Sequence, residues 1–223
     1  MNWGIRAAIE YAVIAAAFAM ATAYPNPGTW VLATLIIGTR QHALMIIGHM
    51  AAHGYAGKHS QLLQFICMAP LGIDTDEYKQ FHFDHHRNLG DPIKDPEAWF
   101  VSHYKDRYTQ YKLKHTIYDL LGFHADEAAD LAISMATAES FMGFALLTGG
   151  LYLLIGWTAL LWPISMMTVL VAANRLRSRT EHDHINEPGI TFYQTKPNII
   201  KRLLYLPHGT WRHMEHHERW HEA

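Results

Sequence analysis

Long apolar stretches alternate with strongly polar ones along this 223-residue chain. A membrane hydrocarbon core of about 30 Å asks for roughly 20 apolar residues in helical form, with about 17 near the lower limit. Residues 5–23 meet that length, interrupted by Glu10 near their start. Residues 30–48 form a second such stretch, joined to the first through the turn-forming sequence Tyr24-Pro25-Asn26-Pro27-Gly28. Residues 140–174 contain no Asp, Glu, Lys, Arg or His. That is too long for one comfortable span and predicts a hairpin of two short ones, 140–156 and 158–174, turning near Gly156 and Trp157. The pattern therefore predicts an integral membrane protein of four spans, with the polar residues 49–139 and 175–223 forming a cap outside the membrane. No internal repeat or low-complexity linker divides the chain, so residues 1–223 read as a single domain.

The basic residues sharpen this picture. They are Arg6, a group from Arg40 to Lys114, and a group from Arg175 onward, and none falls on the two predicted outer turns. By the positive-inside bias the N-terminus, the cap and the C-terminal tail all face the cytoplasm. Two other readings of the apolar stretches exist. Arg6, the following apolar run and Ala21-Thr22-Ala23 have the outline of a cleavable signal peptide, but a single basic residue and Glu10 inside the run speak against it. The stretches also suit buried helices of a soluble α protein, since the third and fourth spans are short.

Composition adds three restrictions. The net charge of -2 and the scattered Lys and Arg give no reason to expect nucleic acid. Cys67 stands alone, which excludes an internal disulfide, a cysteine zinc site and a cysteine-bound redox cluster within these residues. The unusual number is 17 histidines.

Their spacing carries the chemistry. His49 and His53 stand at i and i+4, so on a helix continuing out of the second span both rings project from one face. His82, His85 and His86 stand at i, i+3 and i+4, and His213, His216 and His217 repeat that spacing. Each triplet can aim three ring nitrogens at one point. A histidine-rich polar surface accounts for any single cluster, but the two triplets and the pair together ask for metal. Eight imidazoles exceed the four ligands of a closed tetrahedral site and suit two ions of higher coordination. Imidazole accepts zinc, copper, nickel or iron alike, so the ligands do not name the metal. A site above apolar helices suits an apolar substrate, whose unactivated carbon–hydrogen bonds need an oxidant that redox-inert zinc does not supply.

The segments HMAAH, HFDHH and HMEHH resemble the three histidine boxes of the membrane fatty acid desaturase and hydroxylase superfamily. The likeness extends to Arg40-Gln41-His42-Ala43-Leu44, to Asp74-Thr75-Asp76-Glu77-Tyr78 before the second box, and to Asp91-Pro92 and Asp95-Pro96-Glu97 after it. The resemblance implies an all-α fold, an integral membrane four-helix bundle with a cytosolic helical cap carrying the histidine boxes. With it come two iron ions as cofactor, molecular oxygen as co-substrate, and desaturation or hydroxylation of a lipid or acyl-type substrate at the membrane. It also implies an external electron donor of ferredoxin, rubredoxin or cytochrome kind. Family members place a further ligand between the last span and the third box. Glu181-His182 occupies that place, so the implied metal ligands are His49, His53, His82, His85, His86, His182, His213, His216 and His217, with His184 the fallback for His182. His208, within Pro207-His208-Gly209, reads as an ordinary loop histidine, with contact to a metal-bound water the alternative. The first box departs from the family: Met50 stands where an acidic residue often follows the first histidine, which puts one supporting hydrogen bond in question.

Other motifs compete. His217-Glu218-Arg219-Trp220-His221 spells HExxH, the zinc-hydrolase pattern of two ligands and a general base. It leaves both other boxes unexplained, as does a non-enzymatic metal-binding membrane protein. The Glu-x-x-His pairs of a carboxylate diiron bundle, met at Glu181 to His184 and Glu218 to His221, leave the triplets without purpose. Arg40 lies inside a predicted span, where it is either functional or a long side chain meeting Glu10 or Glu139. Lys105, Arg107, Lys112 and Lys114 form a basic run suited to an acidic electron-transfer protein or to anionic headgroups.

Overall fold

The computed structural model describes residues 2–91, 93–104, 113–181, 196–212 and 217. Among these residues every regular element is helical. Helices α1 (Trp3–Ala23) and α2 (Pro27–Ala52) form an antiparallel pair. Asn26 accepts a hydrogen bond from Thr29 N and Thr29 reciprocates to Asn26 N, so a capping box with Pro27 in the first turn starts α2 sharply after the tight link. α2 outruns the predicted 30–48 at both ends. Its C-terminal extension carries His49, and His53 stands as its C-cap.

Helix α3 (Ser60–Met68) packs along α2, and α4 (Thr75–Arg87) carries the second box. Asp74 starts α4 by accepting from Asp76 N and Glu77 N, a cap of about 0.5–2 kcal/mol. α5 (Pro96–His103) begins the same way at Asp95, with Pro96 in its first turn. α6 (Leu113–Leu120) and α7 (Ala125–Ser134) follow, and α8 (Ala138–Ile155) is the third long apolar helix. Thr137 caps α8 while donating its hydroxyl to Asp74 Oδ2 at 3.0 Å, and Asp74 N donates to Met135 O at 2.9 Å. The start of the second-box helix is thereby tied to the start of the third long apolar run.

Among the described residues three runs are long and apolar enough to cross a membrane: Trp3–Ala23, Pro27–Ala52 and Ala138–Glu181. The last breaks at Gly156, whose φ of 58° and ψ of -140° end α8 where the hairpin turn is expected. The returning leg is less regular than a plain helix over 158–174. It passes through a 3₁₀ segment (Gly156–Leu160), the short α9 (Leu161–Ser165), a π-helical turn (Met166–Leu170) and α10 (Val171–Glu181). Met135, just before α8, and Asn174, in α10, line the same two cavities, so both ends of the stretch return to one end of the molecule.

Close packing on α2 shapes that leg. A Cβ on Gly38 would come within 2.4 Å of Val169 Cβ and 2.9 Å of Ser165 O, so only glycine permits this approach. Gln41 Nε2 donates to Trp162 O at 3.0 Å, and Trp162 Nε1 to Pro70 O at 3.0 Å. The core joins Ile37, Leu44 and Ile47 of α2 with Ile14 and Phe18 of α1, Cys67 and Met68 of α3, and Leu161 and Trp162 of α9. The outside is apolar as well: Leu153 and Leu154 are 86% and 82% exposed, beside exposed Phe141, Leu146 and Trp157. Water does not stabilise so large an apolar exterior, whereas lipid does.

Arg40 meets Glu10, as one of its two expected partners, at 3.1 Å between Nη1 and Oε2. It also donates to Leu203 O at the end of α11 (Ile199–Leu204). His208 Nε2 lies 2.9 Å from Glu10 Oε1 at ion-pair distance, without the alignment of a hydrogen bond. These contacts hold the segment Pro207–Arg212 against α1 and α2, and they engage His208 with Glu10. Of the predicted basic run only Lys114 is described; Lys105, Arg107 and Lys112 lie outside the described residues.

Candidate metal centre

The histidines of the first two boxes come together because α2 delivers His49 and His53 at its end while α4 turns one face toward them. All five are buried: His49, His53, His82, His85 and His86. His217 is buried too, with its ring centroid 4.3 Å from that of His86 and 5.2 Å from that of His85. Boxes one, two and three therefore meet through the described residues. His182, His213 and His216, together with the fallback His184 and the HExxH residues Glu218 and His221, lie outside the described residues.

The ring nitrogens converge. Nε2 of His82 is 2.7 Å from Nε2 of His53 and 2.9 Å from Nε2 of His86. His49, His53 and His82 each offer a ligand atom within 4.8 Å of the others. An imidazole nitrogen has one in-plane site, used either to donate or to accept, so His82 Nε2 can hydrogen-bond one of its two neighbours but not both. A cation among the three lone pairs satisfies all of them, since ligand bonds of about 2.0–2.1 Å put neighbouring ligand atoms about 3 Å apart. The donor set thus fits a metal ion.

Electrostatics agrees. Burial, and then the neighbouring rings of His49, His86, His53 and His85, holds the His82 pKa well below its ordinary value. The ring is kept neutral and its lone pair available, as ligation requires. At His85 burial also opposes charge, but Glu97 and Asp95 outweigh it and raise the pKa. That ring sits where a positive charge is wanted.

Supporting groups orient the rings. Asp95, fully buried, takes His85 Nδ1 at 2.8 Å through Oδ1, which also accepts from Glu97 N and Ala98 N. Its Oδ2 accepts from Gly90 N at 2.8 Å. A carboxylate so thoroughly held fixes the ring with Nδ1–H donating and Nε2 directed inward. Tyr78 Oη lies 3.0 Å from His49 Nδ1 and plays the corresponding part for the first box, so the hydrogen bond put in question by Met50 comes from another helix. Burial raises the Tyr78 pKa, so the phenol stays protonated.

Sequence reasoning missed the roles of Tyr78, Asp95 and Glu97. A signal existed for one of them: Asp95-Pro96-Glu97 is a helix start, and a buried cap has a second carboxylate oxygen to spend.

Two cavities with common lining residues adjoin the rings. The cavity lined by His49, Tyr78, His82, His85 and Phe81 shares Met45, Glu127, Met135 and Asn174 with a second cavity lined by Leu71, Ile73, Met166 and Leu170. The family model described as Fatty acid desaturase matches residues 25–219. The chain belongs to that family. Membership agrees with the membrane-length apolar runs and the buried histidine group among the described residues. Among curated proteins, a stretch of 66 residues is 35% identical to the sphingolipid delta(4)-desaturase DES1 of Drosophila melanogaster, covering 27% of this chain and 21% of that protein. The chain thus spans about a fifth of the length of the curated relative it matches. No solved structure matches it significantly.

Proposed function

We propose that the protein is an oxygen-dependent diiron enzyme that desaturates or hydroxylates an acyl-type lipid drawn from the membrane. The convergence of His53, His82 and His86 on one point carries this reading, together with membership of the desaturase family. The residues that would hold the metals are His49, His53, His82, His85, His86 and His217, with His182, His213 and His216 completing the set. Bound iron would supply what no side chain here has, the capacity to activate oxygen against an unactivated carbon–hydrogen bond.

The chain's own residues do the rest. Asp95 and Tyr78 hold two ligand rings in the tautomer that leaves Nε2 inward. Met45, Leu71, Met135, Met166 and Leu170 offer an acyl chain an apolar path under the rings and exclude water from it. Methionine side chains adapt to chain shape, so fit along this path decides which carbon lies beneath the site. When a chain loses a pair of hydrogens while oxygen is reduced to water, further electrons are required. These residues, with one cysteine, build no cysteine-bound redox centre, and in this reading the electrons are supplied by an external donor protein.

In this reading the chain is one domain with four spans, the run Ala138–Glu181 crossing twice as a hairpin about Gly156. The N-terminus and all three boxes face the cytoplasm, supported by the position of the basic residues. The fly relative is named for a sphingolipid, which makes long-chain sphingoid and fatty acyl lipids the substrates to try first.

The test is twofold. Purified protein in detergent should carry iron near two per chain, and lipid extracts of cells expressing it should gain species two hydrogens lighter or one oxygen heavier than their precursors. Zinc alone, with no activity gained on iron loading, overturns the proposal.

A further inference from the structure

One pair of atoms in the site is not explained by the histidine boxes. His85 Nε2, the inward nitrogen, stands 3.2 Å from Glu97 Oε2. The other face of His85 is already spoken for, because Nδ1 is bound to Asp95. The carboxylate of Glu97 is held as well: Oε1 accepts from Ser178 Oγ at 3.2 Å, which turns Oε2 toward the ring. A neutral imidazole lone pair facing a carboxylate oxygen at that distance is repulsive. Something positive belongs between or beside the two atoms, either a proton on Nε2 or a metal ion.

The geometry favours the ion. Oε2 does not lie along the N–H direction of Nε2, so the two atoms approach side by side rather than as donor and acceptor. Side-by-side atoms about 3 Å apart are what two neighbouring ligands on one ion look like, given metal–ligand bonds of about 2.0–2.2 Å. The position is also distinct from the point where His53, His82 and His86 converge. The rings of His82 and His85 are 6.2 Å apart between centroids, against 4.4 Å for His82 and His86 and 4.8 Å for His53 and His82. His217 approaches both His85 and His86 and so stands between the two positions.

We propose that Glu97 is a carboxylate ligand of the centre, completing with His85 a second metal position beside the one framed by His53, His82 and His86. This rests on the diiron reading above and adds a residue that the histidine boxes do not contain. Charge gives the reason for it. Imidazoles bring no negative charge to two divalent ions in a buried site, and burying uncompensated charge is costly. Glu97 brings one negative charge directly to the ion, whereas Asp95 reaches the site only through His85 Nδ1, and Glu127 and Glu181 are paired with Arg175 and Arg177.

The experiment uses the full chain loaded with ⁵⁷Fe in detergent, with metal analysis and Mössbauer spectra on wild type, Glu97→Gln and Glu97→Asp. Glu97→Gln keeps the side-chain shape and a carbonyl oxygen for Ser178 but removes the charge. Its iron content should fall from about two per chain toward about one, with loss of the signal of one iron and retention of the other. Glu97→Asp keeps the charge on a shorter arm and serves if the Gln variant does not fold. It should hold both irons with the spectrum of one of them altered. Two irons with spectra identical to wild type, in Glu97→Gln or, failing that, in Glu97→Asp, overturn the assignment of Glu97 and leave the diiron reading standing. A wild-type protein that never binds two irons overturns the diiron reading itself, and this assignment with it.

Discussion

Two buried polar clusters sit close together in this molecule and have opposite characters. In the first, Arg175 of α10 donates to Asp119 at the end of α6 and to Glu127 of α7, while His124 Nδ1 lies 2.6 Å from Asp119 Oδ1. Donors face acceptors and positive charge faces negative. In the second, the nitrogens of His53, His82 and His86 crowd together, and His82 Nε2 can hydrogen-bond only one of its two neighbours. The first cluster pairs its charges and fastens α6 and α7 to the returning leg of the hairpin. The second gathers like groups whose lone pairs suit a cation. Burial alone therefore does not mark a functional site; the mark here is a set of buried ligand atoms of one kind brought within reach of one another.

That contrast predicts opposite phenotypes. His82→Ala or His86→Ala should lower iron retention and lipid oxidation by at least about 100-fold while the helical content in detergent stays that of wild type. Metal analysis beside circular dichroism checks it, and a variant that unfolds instead would make the histidine cluster structural. Arg175→Met should behave in reverse. It strands two buried carboxylates, at a cost of about 3–5 kcal/mol read from denaturant or thermal unfolding, and leaves iron per folded chain unchanged.

Asp95→Asn probes the boundary between the clusters' two kinds of role, because Asp95 both starts α5 and orients His85. Asparagine caps a helix as well as aspartate, so α5 should persist while metal affinity or activity falls by about 10–100-fold. Loss of fold without loss of metal would reassign Asp95 to architecture. Asp74→Ala removes a cap and the bond to Thr137 without touching a ring, and should cost about 0.5–2 kcal/mol of stability with oxidation preserved. The smallest effect belongs to His221→Ala and Glu218→Gln, which should keep most lipid oxidation. If either abolished it while His86→Ala was silent, the HExxH reading would return.

How much of this was legible beforehand varies by residue. The spans were plain, since an uninterrupted apolar run has few alternatives, and the glycine at 156 showed where the last run turns. The i, i+3, i+4 spacing of His82, His85 and His86 needs only a helix to put three rings on one face. The pairing of Arg40 with Glu10 was one of two choices, because an arginine within a span requires a counter-charge but not a particular one. Neither Tyr78 beside His49 nor Glu97 beside His85 was foreseen.

By itself, then, the sequence determined the local matters: which stretches are helical, which are apolar enough for lipid, and which faces carry histidine. These follow from helical periodicity and from the cost of exposing backbone polar groups, both of which act over a few turns. The tertiary structure decided the pairings: the meeting of boxes one, two and three, the engagement of His208 with Glu10, and the approach of Glu97 to His85. The physical reason is that each pairing joins residues on different helices, through side chains whose direction depends on how those helices cross. That crossing is set by close packing such as Gly38 against Val169, a contact between residues 131 positions apart (169 minus 38) that no local pattern encodes.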